Sequence, residues 1–214
     1  GTGADVRLTR GANTQLADSV TPDGAHVISH EVRPQTRSDL TRVSLDRAGG
    51  ATAASGDALV ETPFEEWNGE VSPDGRFLAY QSDESGQNEV YVRPYPLVGS
   101  ARWQISTGGG TEPVWTRGGR ELIYLDRARH LTALSVETTG ATFHAGTPVT
   151  LAATADSVPG PWRTYDVSPD GQRWIASHPK FFLPVVALSR LFRGKFLDGL
   201  KRLHRQRKLQ LADK

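Results

Sequence analysis

The 214 residues contain no cysteine and no methionine. A disulfide framework and a thiolate metal site are therefore excluded, and thiol usage gives no reading of the redox compartment. Long apolar runs are also missing. The longest, 181–188, has eight residues and is interrupted by Pro184, far short of the ~20 that a membrane-spanning helix needs. Residues 1–20 lack the apolar centre of a secretory leader, so as it stands the chain is expected to be cytoplasmic. A first residue of Gly1 and the absence of Met suggest a piece of a longer product.

Net charge is almost absent too, at +1, but the balance conceals two segments. From Phe181 to Lys214 there are nine Lys/Arg against Asp198 and Asp213, a net +7; the other 180 residues hold 16 basic and 22 acidic residues. A division this sharp marks segments of different character.

What is present is a repeat. Val71-Ser72-Pro73-Asp74-Gly75 precedes the apolar run Phe77-Leu78-Ala79-Tyr80. Altered forms occur at Thr21-Pro22-Asp23-Gly24, Thr116-Arg117-Gly118-Gly119 and Ser168-Pro169-Asp170-Gly171, each before a short apolar stretch. The markers Asp23, Asp74, Gly118 and Asp170 are 51, 44 and 52 residues apart. That spacing fits four-stranded propeller blades. Pro-Asp-Gly presets a tight turn, with Gly where φ is positive and Asp able to bond the backbone just ahead of it.

Short runs of Val, Ile, Leu, Tyr and Trp between turn residues predict strands at 25–32, 40–45, 77–81, 89–93, 102–106, 113–116, 121–125, 131–136, 148–152 and 173–177. The Ala/Gly/Thr-rich stretch 48–62 reads as a loose connection. Trp67, Trp103, Trp115, Tyr80, Tyr91 and Tyr124 recur at equivalent points, which favours packing between blades over a ligand cage. The expected core of the central blades is Phe77, Tyr80, Val90, Tyr91, Trp103, Trp115, Leu122 and Tyr124. An open terminal blade would leave an unpaired edge and favour self-association.

Beyond about residue 177 the pattern changes. Apolar residues at 188, 191, 192, 196, 200 and 203 form one helical stripe, and basic residues lie mostly off it. The segment 185–206 reads as a basic amphipathic helix. Arg190, Arg193, Lys195, Lys201, Arg202, Arg205 and Lys208 are its candidate nucleic-acid contacts. A solvated basic tail, a helix covering an open blade edge, and membrane-surface association are alternatives. The fold class is thus mainly β: a partial propeller of about four blades over 1–176, with a basic helical tail over 177–214.

Three features resemble sites and are read otherwise. His26 and His30 are four apart, but on a strand that step spans roughly 13 Å, so they are expected at a surface or groove without sharing a metal. Glu61, Glu65, Glu66 and Glu70 lack the spacing of a calcium loop and are expected to form a solvated acidic loop. Gly108-Gly109-Gly110 lacks the Lys-Ser/Thr of a phosphate loop and reads as a turn. No catalytic, cofactor-binding or metal-ligating set is identified, and no enzyme activity is expected.

Two resemblances accompany this reading. Val71–Tyr80, Ser82-Asp83-Glu84-Ser85-Gly86, Asn88–Pro94, Trp103–Ser106, Gly108–Pro113 and Gly119–Tyr124 resemble the TolB-type (PD40, WD40-like) repeats found after the kinase domain of bacterial Ser/Thr kinases. The likeness spans about 5–172. It implies a propeller that binds a protein or small molecule on its face; no kinase motif is present. Asp170–Pro179, Phe181–Pro184 and Leu188–Leu197 resemble part of the IS91-type transposases, which implies DNA as a partner. The catalytic tyrosines and His cluster of that family are not identifiable here. The two likenesses overlap at Ser168–Trp174, which implies a truncated propeller fused to a transposase remnant. A DNA-binding transposase derivative and the gating propeller of a peptidase are the alternative functions.

Overall fold

In each Pro-Asp-Gly turn the same bonds recur. The amides of Gly24, Gly75 and Gly171 each donate to the carbonyl three residues back at 2.8 Å (Thr21, Ser72 and Ser168). The Asp carboxylate accepts from the hydroxyl of that same Thr or Ser. It also accepts from the backbone amide two residues on, at 3.0–3.1 Å. Hydrogen bonding to the ionised form holds the carboxyls of Asp23 and Asp170 below the usual range. At Asp74 burial opposes this, and Ser72 and Arg76 outweigh it. Gly75 has φ +75° with open space where a Cβ would stand. Gly75→Ala is therefore expected to cost about 1–2 kcal/mol from backbone strain alone, and Gly75→Asn less. Urea-unfolding midpoints would measure both, and an unchanged Ala variant would refute the assignment.

These turns organise the chain. The structure is a computed structural model that describes residues 7–45, 56–140, 142–153 and 162–176. The first sheet is β1 (Gln15–Val20), β2 (His26–Arg33), β3 (Arg37–Ser44) and β4 (Asp57–Val60), paired in that order. The second is β5 (Glu66–Val71), β6 (Phe77–Ser82), β7 (Glu89–Pro94) and β8 (Trp103–Gln104). The third is β9 (Gly110–Thr116), β10 (Glu121–Asp126), β11 (His130–Thr139) and β12 (Thr142–Ala145), with β13 (Val149–Ala153) pairing the first half of β11. The fourth is the hairpin β14 (Tyr165–Val167) and β15 (Trp174–Ala176). Pairing within all four sheets is antiparallel. The first strands adjoin in series, β1 against β5, β5 against β9, β9 against β14. Those strands line a common axis, and each sheet is a blade.

The core is divided among the blade junctions. Ile28, Leu40 and Val60 of blade 1 meet Val71, Leu78, Tyr80 and Tyr91 of blade 2. Phe77, Ala79, Val90 and Val92 on the other face of blade 2 meet Trp115, Leu122, Tyr124 and Leu134 of blade 3. Val114, Ile123, Leu125 and Leu131 meet Tyr165 and Val167 of blade 4. The alternation of β6, with Leu78 and Tyr80 on one face and Phe77 and Ala79 on the other, is what a strand apolar on both sides requires. The expected core residues are buried, except that Trp103 is half-buried at the rim of its cluster.

Several expectations need correction. The stretch 48–62 contains β4, which pairs β3 and sends Val60 into the core. Of 102–106 only Trp103–Gln104 is strand, because the Ser106 hydroxyl takes over the Val90 amide at 2.8 Å. Strands β1, β5, β12 and β14 were not anticipated. The expected helix at 185–206 and Ser177 lie outside the described residues, as does the rest of the tail.

Candidate functional site

The axis-lining strands are polar where a plain strand would alternate. Each of the first three has a register shift: between Ala17 and Ser19 in β1, between Trp67 and Glu70 in β5, and opposite Ile123 to Leu125 in β9. The displaced residues are Asp18, Asn68 and Glu112. A bulge turns its residue out of the ladder and bends the strand. Asn68 and Glu112 have φ of +54° and +57°, a conformation Asn tolerates better than most residues.

Asp18 and Glu112 tie their blades to the next directly, and Asn68 does so through Gln81 of its own blade. Asp18 accepts from the Gly69 amide at 3.3 Å through one oxygen and meets His30 Nδ1 at 2.8 Å through the other. The Ser19 hydroxyl donates to the Gly69 carbonyl at 2.8 Å. Asn68 Nδ2 donates to Gln81 Oε1 at 2.9 Å, and the same oxygen accepts the Glu112 amide at 3.0 Å. Glu112 accepts from the Thr164 amide at 2.6 Å and the Thr164 hydroxyl at 2.7 Å, and pairs with Arg129 at 3.2 Å. The Tyr165 hydroxyl donates to the Glu112 carbonyl at 2.7 Å. Burial pushes that phenol well above its ordinary value.

Arg163 makes a longer link. It is buried, donates to the Pro113 carbonyl at 3.1 Å, and forms an ion pair with Glu70. Burial alone would lower its pKa, but the Glu70 and Asp166 carboxylates overcome this and raise it. Glu70 thereby joins blade 4 to blade 2, and its carbonyl accepts from Trp115 Nε1 at 3.0 Å.

His30 is buried against Asp18 and stacks on Trp67 at 6.0 Å, rather than lying at a surface or groove. His26 sits half-buried at the start of the same strand. Glu66 and Glu70 are not in a solvated loop: both lie on β5, with Glu66 only 1% exposed. Burial, opposed by hydrogen bonds from Thr62 and Ser82 and reinforced by Asp39 and Glu84, pushes the Glu66 carboxyl up to about 7. Gly108 and Gly109 form a turn whose two amides donate to Glu89 Oε1 at 2.7 and 2.8 Å. That turn is thus filled by a carboxylate of the chain itself. Arg190, Arg193, Lys195, Lys201, Arg202, Arg205 and Lys208 lie outside the described residues.

The bulge residues were missed, though a signal existed. Asp18, Asn68 and Glu112 precede the turn markers Asp23, Asp74 and Gly118 by five, six and six residues. Between blades 2 and 3 an open groove of about 410 Å³ is lined by Ile105, Gly109, Tyr124, Arg127, Thr132 and Pro148, among others. It offers apolar surface beside the charged Asp126 and Arg127.

Two four-stranded blades and a third with an added strand, arranged about one axis with the first hairpin of a fourth, decide the architecture. The described chain is part of a β-propeller. Among solved structures it is similar to a puromycin-hydrolyzing peptidase from Mycobacterium tuberculosis (TM-score 0.51, 18% identity), over 77% of this chain and 29% of that one. It is also similar to a putative TolB from Agrobacterium tumefaciens (TM-score 0.49, 16% identity), over 67% of this chain and 52% of that one. At the other end, residues 166–214 match a family described as "Putative transposase". A curated relative, "Putative transposase y4qJ" of Sinorhizobium fredii, is 58% identical over 43 residues. That match covers 20% of this chain and 11% of the relative. The propeller part is therefore joined to a segment resembling a transposase fragment.

Proposed function

We propose that this chain is a non-catalytic binding module. Its propeller offers a surface to a protein or small-molecule ligand, as the sensor portion of a signalling protein would. The supporting observation is the use made of the polar groups on the axis. Asp18, Glu112 and Arg163 are bonded to neighbouring blades, Asn68 is bonded to the Gln81 amide that reaches the next blade, and the Asp18–His30 pair is buried away from any substrate. A general base must reach the proton it removes, and these groups hold blades together instead. The groove at Tyr124 and Arg127 is the ligand surface favoured here, and its size suits a small molecule or a peptide side chain. Purified chain is expected to show no peptide hydrolysis, phosphoryl transfer or DNA strand cleavage. An activity abolished by a single point change would overturn the reading.

A second reading is DNA binding through the basic tail, favoured by the transposase-like match at 166–214. Arg190, Arg193, Lys195, Lys201, Arg202, Arg205 and Lys208 are the proposed contacts. Counterion release would make such binding fall steeply with salt. Deleting 181–214 is expected to remove that salt-sensitive affinity in a fluorescence-anisotropy titration while leaving the blades folded by circular dichroism. Unchanged affinity in the deletion would refute the DNA reading, and collapse of the blades would refute the independence of the two parts.

A further inference from the structure

The junction of blades 1 and 2 carries more acid than its cations accommodate. Asp39 of β3 and Glu66 of β5 are 0% and 1% exposed. Asp39 Oδ1, Glu66 Oε2 and, beyond the end of β6, Glu84 Oε1 are buried oxygens with no hydrogen-bond partner. The other oxygens of these groups are occupied: Thr36 donates to Asp39, Thr62 and Ser82 to Glu66, and Arg102 to Glu84. A backbone hydrogen bond from Thr62 lowers the Asp39 carboxyl slightly, against the larger upward effect of burial. The cations at this rim are shared among several acids. Arg33 pairs with Glu61, with Asp39 Oδ2 at 3.5 Å and with Glu31 at 3.6 Å, which leaves Asp39 Oδ1 uncovered. Arg37 bridges Glu65 and Asp83 at 2.8 and 2.9 Å. Among the described residues no cation pairs with Glu66, and no group of three acidic or His side chains is placed to hold a metal.

Buried carboxylate oxygens left as acceptors need a donor. One proton supplies it, because a protonated carboxyl turns an orphaned acceptor into an O–H donor. We propose that a proton held on the Glu66 carboxyl closes the junction of blades 1 and 2, and that its loss loosens this junction by leaving like charges facing one another beside Asp39 and Glu84. The pH dependence follows. Glu66 is raised from 4.5 to about 7, and Asp39 is raised as well, both chiefly by burial. The folded form keeps the proton while the unfolded chain releases it. The contribution is complete below about 4.5 and is lost as pH rises towards 7, with nothing further lost above that.

Two measurements on the full chain test this. Infrared difference spectra of the wild type, titrated from pH 5 to 9, should show a protonated-carboxyl stretch that disappears near neutrality and is missing in Glu66→Gln. Thermal unfolding followed by tryptophan fluorescence should show the wild-type midpoint falling by roughly 5–10 °C between pH 5 and 8. Glu66→Gln, which carries a permanent amide donor, should lose most of that slope and exceed the wild type at pH 8. Glu61→Gln, at the exposed rim, should keep the wild-type slope. The proposal fails if the wild type has no carboxyl titrating between pH 6 and 8, a result independent of whether any variant folds. It also fails if Glu66→Gln retains the full slope, or if calcium restores the midpoint at pH 8, which would make the group that closes the junction a cation.

Discussion

Trp115→Ala should lower the free energy of unfolding by about 3–5 kcal/mol, the range for truncating a buried tryptophan. The indole is 5% exposed, sits among Phe77, Leu122 and Phe143, and donates from Nε1 to the Glu70 carbonyl of the preceding blade at 3.0 Å. The variant loses apolar contact at the largest junction and strands a buried carbonyl at the same time. Trp115→Phe keeps most of the volume but not the donor, so it should recover about two thirds of the loss; the remainder, about 1–2 kcal/mol, is the cost of the unpaired carbonyl. Urea unfolding monitored by circular dichroism gives both values. A Trp115→Ala loss below 1 kcal/mol would mean that blades 2 and 3 are not held by this cluster.

Arg163→Met should be nearly as damaging, at about 3–5 kcal/mol, because removing the buried guanidinium leaves the largely covered Glu70 carboxylate without its cation. The double variant Arg163→Met, Glu70→Leu should recover most of the loss, since an apolar pair of similar volume often replaces a buried ion pair without penalty. A double variant no better than Arg163→Met would show that the guanidinium acts through its bond to the Pro113 carbonyl rather than through the charge. Each variant should be compared at one fixed pH, because Glu66 changes the baseline between 4.5 and about 7.

The turns and outer strands were legible in the sequence because one residue type does one job there. Asp74-Gly75 has a carboxylate that caps the next amides and a glycine at positive φ, and Phe77–Ser82 follows as the apolar strand this requires. The inner strands were not legible. β5 reads Glu-Trp-Asn-Gly-Glu-Val, and no alternation survives, because Asn68 is displaced by the bulge, Glu66 is buried against Thr62 and Ser82, and Glu70 is tied to Arg163 of blade 4. Their polar residues answer to partners on other blades about 45 to 95 residues away, which local periodicity does not report. β4 was hidden for a different reason: as an outer edge strand it needs only the backbone of β3 and one inward residue, Val60. The buried state of His30 likewise depends on Asp18, twelve residues earlier across a hairpin.

The position of Arg163, Thr164 and Tyr165 bears on how such a gene can be joined. All three precede residue 166, where the transposase-like match begins. They supply the polar ties that the last blade junction makes to Glu70, Glu112 and Pro113. A recombination joint placed just downstream inherits a closed junction and has to provide only a hairpin partner for β14. The Ser168–Gly171 turn meets that need with bonds the other turns already use. Splicing here keeps the ties made by Arg163, Thr164 and Tyr165 and puts at stake only the packing of Val167 and the bonds from Thr116 and the Arg117 amide to the Ser168 and Pro169 carbonyls, so a breakpoint at this position is less damaging than one twenty residues earlier.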